Sequence, residues 1–311
     1  MQNSKVLITE NVHELLLRGL AAMGYQCTYE PGISADTVQQ IIHSYSGLIV
    51  ATRIAVNKPI IQAAKRLRFI ARAGSGMENI DTESAALQGI SCINSPEGNA
   101  NAVGEHAVGM LLAFYHNIVK ADAEMRQAKW LVEDNRVHEL EGRTVGIIGY
   151  GNTGKSFARK LAPFNMRVIA FDKYLLEYSD LYAQAVDMQQ LFEEADIISL
   201  HVPLTPETQR LADDYFFQQC RKPIFFMNTS RGKVVDHRSL LRFIQQEQIS
   251  GAALDVYENE QFETHSEEER QTFNALIATN KVIMTPHVAG KSYESKRKIA
   301  EVLLTKIKSI S

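Results

Sequence analysis

Gly149-Tyr150-Gly151-Asn152-Thr153-Gly154 follows directly on the apolar run Val145 to Ile148 and opens onto a stretch carrying Ser156, Phe157, Ala158, Leu161 and Ala162. A glycine-rich turn between a strand and a helix is a dinucleotide-binding pattern. The first glycine permits the tight turn, the second lets the backbone approach a pyrophosphate, and the third lets helix and strand pack closely. The helix start adds N–H groups and the positive end of its dipole, with Asn152 and Thr153 inside the same turn. Asp172 ends the next apolar run, Val168 to Phe171, at the distance where a carboxylate accepts hydrogen bonds from the adenosine ribose and repels a 2'-phosphate. The expected cofactor is therefore NAD. Lys173 sets a cation beside that acid.

Five further segments carry polar groups suited to the same chemistry: Arg72-Ala-Gly-Ser-Gly-Met-Glu-Asn-Ile-Asp81, His201-Val-Pro203, Asn228-Thr-Ser-Arg-Gly-Lys-Val-Val-Asp236, Gly251-Ala-Ala-Leu-Asp255 and Thr285-Pro-His-Val-Ala-Gly290. With the glycine turn, and in this order, they make the chain resemble the D-isomer-specific 2-hydroxyacid dehydrogenases over nearly its whole length. The resemblance implies that Arg231 binds the substrate carboxylate and polarises the 2-oxo group, that His287 exchanges the hydroxyl proton, and that Glu260 holds the imidazole. It also implies a cofactor site that includes His201, Val202, Pro203, Thr229, Ser230, Asp255 and Gly290. The residue types suit the chemistry. Removing hydride from a carbon that bears a hydroxyl needs a base of near-neutral pKa, a carboxylate can orient that imidazole, and a guanidinium presents a planar fork to a carboxylate. The family motif Asp-Val-Phe-x-x-Glu-Pro reads Asp255-Val-Tyr-Glu-Asn-Glu-Gln261 here, so the residue after Glu260 lacks proline's stiffness.

The expected substrate contacts are Arg53, Arg72, Ser75 and Gly76. Small residues let backbone N–H groups approach a carboxylate, and the two arginines add local positive charge. In the family an arginine at the turn of Arg53 contacts the phosphate of phosphoglycerate, and the neighbouring position that is often a second arginine is Ala51 here. Ser95-Pro-Glu-Gly-Asn99 and Ala102 to Leu112 look most like 3-phosphoglycerate dehydrogenases of the short type. This implies oxidation of 3-phosphoglycerate to 3-phosphooxypyruvate, the first step of serine biosynthesis, without an appended regulatory domain. Two other readings stand beside it: a glyoxylate, hydroxypyruvate or D-lactate-type reductase, and an NAD(H)-sensing corepressor-like module on the same fold.

The elements that must position these groups alternate between strand and helix. Lys5 to Thr9, Gly47 to Ala51, Phe69 to Ala73 and Ser91 to Asn94 read as strands, with a helix over His13 to Met23. A single long helix is expected over Asn101 to Lys129. A second series of strands covers Thr144 to Ile148, Arg167 to Phe171, Ile197 to Leu200, Ile224 to Asn228, Gly251 to Leu254 and Val282 to Thr285. A helix over Ser292 to Ile310 is expected to return to the first domain. The fold class is α/β, with two Rossmann-like domains: a doubly wound parallel NAD-binding sheet over residues 99–287, and a flavodoxin-like substrate domain built from both chain ends, 1–98 plus 288–311.

Composition agrees with such a chain. Its 311 residues suit two domains, and 45% hydrophobic against 22% charged residues can fill their cores. A net charge of -3 gives no global field for nucleic acid. Cys27, Cys92 and Cys220 are too scattered for a disulfide framework or a zinc site. No metal is expected, no apolar run approaches the roughly 18 residues of a membrane span, and the start of the chain lacks the order of a secretory signal. These observations lead to the expectation of a cytoplasmic enzyme of a small acid, assembled as a homodimer or homotetramer as the resemblance implies.

Overall fold

The computed structural model describes residues 4–310. Residues 1–3 and 311, the outer ends of the substrate-domain assignment and the first residues read for a leader, lie outside the described part. The chain divides into two compact units, one running up to Ala100 and resuming at Lys291, the other Asn101–Gly290. The sequence reading sets these boundaries at 98/99 and 287/288.

The first unit holds β1 (Lys5–Ile8), β2 (Gln26–Tyr29), β3 (Gly47–Val50), β4 (Phe69–Arg72) and β5 (Ser91–Ile93) in one sheet of order β2-β1-β3-β4-β5. All pairings are parallel, and the order is that of flavodoxin-like folds. Alternate side chains feed two cores. Leu7, Leu48, Val50 and Ile70 point to one face. Val6, Ile8, Ile49, Phe69 and Ala71 point to the other, where Ala300, Leu303 and Ile307 of helix Tyr293–Ile310 join them. β2 is missing from the sequence-based set because an edge strand with two exposed and two half-buried residues carries no apolar run.

The second unit holds β6 (Thr144–Ile148), β7 (Arg167–Phe171), β8 (Gln184–Ala185), β9 (Ile197–Leu200), β10 (Ile224–Asn228), β11 (Ile249–Leu254) and β12 (Val282–Met284). Their order is β12-β11-β10-β9-β6-β7-β8, again all parallel. The sheet winds outward in both directions from the β6/β9 pair, which is the doubly wound arrangement, with its ligand crevice expected at that reversal. The two-residue β8 is too short for a periodicity signal.

The long helix expected over Asn101 to Lys129 is instead two, Pro96–Tyr115 and Ile118–Met125. Asn117 adopts a left-handed conformation (φ +50°) and its side chain donates to the Arg136 carbonyl. Asparagine tolerates that conformation, and one such residue ends a helix.

Candidate active site

Because all strands of the second unit are parallel, their carboxyl ends share one edge, and the expected site residues of this unit follow those ends. Gly149 follows β6, Asp172 follows β7, His201 follows β9, Thr229 to Arg231 follow β10, Asp255 follows β11 and His287 follows β12.

In the glycine turn, Gly149 has φ +94°, and a Cβ there would lie 2.6 Å from the His201 carbonyl oxygen. A Cβ on Gly154 would lie 2.2 Å from the Gly149 oxygen. Both glycines are thus required by the chain itself. Gly151 differs: its φ is -82° and a Cβ would meet nothing within 4 Å. The open space beside it lies at the start of helix Asn152–Leu161, as an approaching pyrophosphate requires. Thr229 is buried, and its Oγ1 has no hydrogen-bond partner among the described residues, another sign of a site completed by a ligand. These residues fit a dinucleotide.

Asp172 accepts from the Tyr150 N–H at 2.8 Å through one oxygen and from the Tyr174 and Leu175 N–H groups through the other. It therefore ties the glycine turn to the end of β7. Lys173 is drawn to Glu207 at 2.5 Å. His201 is buried, with Nε2 2.9 Å from Ser199 Oγ, Nδ1 3.3 Å from Thr153 Oγ1 and its ring against Phe157. Burial pushes its pKa down to about 4, so it is a neutral imidazole at pH 7. Val202 and Pro203 continue from it, and the Pro203 carbonyl accepts from Thr208 Oγ1.

His287 and Glu260 meet: Nδ1 lies 2.9 Å from Oε2, with both side chains partly exposed. Burial pushes the Glu260 carboxyl up, but the bond from His287, the imidazole's charge, a backbone contact at Tyr257 and the charge of Arg231 outweigh it and hold the pKa below the ordinary carboxylate value. Arg231 itself donates from Nη1 to the Ser230 carbonyl at 2.7 Å, and Ser230 donates to Asn228 Oδ1. Gly232 next to it could carry no Cβ, which would fall 1.8 Å from the Tyr257 oxygen. That close approach brings the Arg231 turn against the start of the Glu260 loop.

His287 sits in the left-handed region (φ +54°), which costs a non-glycine residue roughly 1–2 kcal/mol. Asp255 holds it there. Its carbonyl accepts the His287 N–H at 2.7 Å, and its buried carboxylate accepts from Thr285 Oγ1, Val288 N and Ala289 N at 2.6, 2.9 and 2.9 Å. Asp255 thus lies beneath the histidine loop, just before Gly290. His106, within the segment Ala102 to Leu112, joins this support with Nε2 2.9 Å from Thr285 Oγ1.

The remaining expected residues belong to the first unit. Arg53 donates from Nη1 to the Ile33 carbonyl (2.6 Å) and from Nη2 to the Thr9 carbonyl (2.7 Å), with Glu10 beside it. Asn79, which sequence reasoning missed, staples the same turn by donating to the Ala51 and Ile54 carbonyls. The Arg72 guanidinium lies across Gly74, at the place a Cβ would occupy. Ser75 Oγ donates to Asn99 Oδ1, and the Ser75 carbonyl accepts from Asn94, ordering the segment that leads into Gly76. Among the described residues no cluster of side chains suits a metal ion, and no helix is long and apolar enough to cross a membrane.

Residues 108–289 match the family model described as D-isomer specific 2-hydroxyacid dehydrogenase, NAD binding domain. The chain belongs to the D-isomer-specific 2-hydroxyacid dehydrogenases. Within this family it is 34% identical to a hydroxypyruvate reductase of Thermotoga maritima over 88% of both chains. It is 31% identical to a D-3-phosphoglycerate dehydrogenase of Archaeoglobus fulgidus over 96% of its own length but 56% of that relative's. The chain thus spans little more than half of the phosphoglycerate dehydrogenases it matches. The fold agrees with a solved glyoxylate reductase of Paecilomyes thermophila, at TM-score 0.87 and 20% identity, covering 99% of this chain and 95% of the other. The second unit of this 2-hydroxyacid dehydrogenase is its NAD-binding domain.

Proposed function

We propose that this chain interconverts a D-2-hydroxy acid and its 2-oxo acid, with 3-phosphoglycerate and 3-phosphooxypyruvate as the leading pair and hence the first step of serine biosynthesis as its place. The contact between His287 and Glu260 carries the reading. With Nδ1 directed at the carboxylate, Nε2 is left to exchange a proton with the substrate oxygen, as in other carboxylate-oriented histidines. NAD, when bound, takes up or returns the hydride. In oxidation His287 accepts the hydroxyl proton as the C–H bond breaks, and Glu260 stabilises the imidazolium that forms. Arg231 offers its fork to the substrate carboxylate. The open face at Gly151 and the Thr229 hydroxyl serve the dinucleotide, and Asp172 with Glu207 beside Lys173 favours NAD over a 2'-phosphorylated cofactor.

One observation favours a second substrate reading. Both Nη atoms of Arg53 are engaged by backbone carbonyls, which leaves this guanidinium less to offer a phosphate, and one relative is a hydroxypyruvate reductase. Purified protein with NAD and 3-phosphoglycerate at alkaline pH is expected to form NADH, and Arg53→Ala is expected to raise KM for the phosphorylated acid about tenfold or more, the loss of one charge-assisted contact. Turnover of hydroxypyruvate with NADH, untouched by Arg53→Ala and far exceeding that of phosphooxypyruvate, selects the unphosphorylated substrate. No turnover on either overturns the enzyme reading.

A homo-oligomer completes the proposal. Ile118, Val119, Met125, Trp130, Val132 and Val137 are all exposed within one short stretch, the kind of apolar surface that a monomer in water rarely leaves uncovered.

A further inference from the structure

Glu260 can hold His287 only if the loop carrying it is held, and the two residues that precede Glu260 are held by different parts of the second unit. The first, Glu258, accepts from Arg210 at 3.4 Å and lies 3.7 Å from Nδ1 of the buried His237, whose ring packs on Tyr257. The second, Asn259, is the centre of a small knot. Its Oδ1 accepts the Gln261 N–H at 3.1 Å, an Asx turn that closes directly around Glu260. Its Nδ2 donates to Thr264 Oγ1 at 3.1 Å and reaches Glu269 Oε1 at 3.5 Å, and Glu269 is locked in a capping box with Ser266. Its carbonyl lies 2.8 Å from His265 Nε2. A carbonyl only accepts, so Nε2 carries the proton.

His265 is buried among Tyr257, Phe262 and Phe273, with ring centroids 5.9, 4.9 and 6.4 Å away, so the donor is fixed by the aromatic cluster rather than by solvent. Gln261 has φ -99°, and its N–H closes the turn. Proline at this position would remove that donor and draw φ toward about -65°.

We propose that Asn259 and His265 are positioning residues for the Glu260–His287 pair: the hydrogen-bonded knot around Asn259 sets the carboxylate at His287, and His265 anchors the knot to the aromatic core. The inference rests on the reading of that pair as the proton relay. Neither residue touches the reacting atoms, and both act through Glu260.

Three substitutions separate positioning from packing. Asn259→Ala removes the turn. His265→Phe keeps an aromatic ring in the cluster and deletes only the donor. Asn259→Ser restores a weaker side-chain acceptor for the Gln261 N–H. Asn259→Ala and His265→Phe are expected to lower kcat about 10- to 100-fold, the scale of a misplaced catalytic group, while NADH affinity by fluorescence titration changes less than about twofold. Asn259→Ser is expected to recover part of the loss. In a Glu260→Gln background neither substitution is expected to cost more than about twofold further, because residues acting through one group are not additive.

Imidazole NMR of isotope-labelled, NADH-bound protein tests the same point without turnover. The His287 Nδ1–H signal, identified by its displacement in Glu260→Gln, is expected to move likewise in Asn259→Ala and His265→Phe. Wild-type protein inactive on every 2-oxo acid would defeat the proposed function, with the NMR comparison still deciding the positioning claim. An unmoved His287 signal, full additivity with Glu260→Gln, or a parallel collapse of NADH affinity would overturn it.

Discussion

At the residue scale the site combines imidazoles of opposite character. His287 is partly exposed, strained in backbone and bonded to a carboxylate, whereas His201 is buried between Ser199 and Thr153 with its pKa pushed down to about 4. Burial depresses the folded-state pKa of His201, so the unfolded chain binds the extra proton first as pH falls. Stability from this group is intact above about 6.5 and is lost progressively down to about 4, a total of roughly 3 kcal/mol at about 1.4 kcal/mol per unit. Urea denaturation at several pH values is expected to show wild type losing stability over this window more steeply than His201→Gln, which has no such proton to gain. Parallel curves would mean that His201 is hydrated enough to titrate in the folded state.

At the element scale, helix Tyr293–Ile310 supplies Ala300, Leu303 and Ile307 to one face of the first sheet, although nearly 200 residues of the other unit intervene in the chain. Its contact with helix Glu14–Ala22 is close: a Cβ on Gly19 would lie 2.4 Å from Leu304 Cδ1. Leu303→Ala is expected to destabilise the first unit by about 2–5 kcal/mol, the cost of a buried leucine and its cavity, read as an earlier transition in chemical denaturation. A change below about 1 kcal/mol would show that this helix is peripheral. The outward repeat of Lys and Glu on the helix is legible in sequence, as is the apolar stripe. The return of this helix to the first unit is also expected from sequence, but the residues that its stripe meets are not legible there, because a periodicity reports that a face is buried and not against what.

At the scale of the whole molecule, the exposed apolar stretch from Ile118 to Val137 follows the helix break at Asn117 and includes Trp130 at 77% exposure. The proposed homo-oligomer makes a direct prediction: light scattering with size exclusion is expected to give at least twice the 34.9 kDa chain mass, and Trp130→Asp is expected to shift it toward one chain by placing a charge in the interface. A monomer at micromolar concentration would remove this stretch from consideration. The net charge of -3 is consistent with an anion site made by local groups, Arg231 and the helix start beyond Gly151, rather than by a general field.

The sequence by itself determined the strand-helix alternation that produces two parallel sheets, the place of the glycine turn at the end of β6, and the acid at the end of β7, because each rests on local pattern: apolar runs, glycine conformations and fixed spacing. The family motifs named Arg231, Glu260 and His287. Only the tertiary structure decided that the Glu260 carboxylate meets His287 Nδ1, that Asp255 lies under the histidine loop, that Arg53 is engaged by carbonyls, and that His265, with no motif around it, reaches the Asn259 carbonyl. Each of these is a pairing between chain segments far apart or folded back on themselves, settled by how sheets and loops bring donors to acceptors. The same reason explains the missed edge strand Gln26–Tyr29 and the break at Asn117, where exposure and a single left-handed residue outweighed local periodicity.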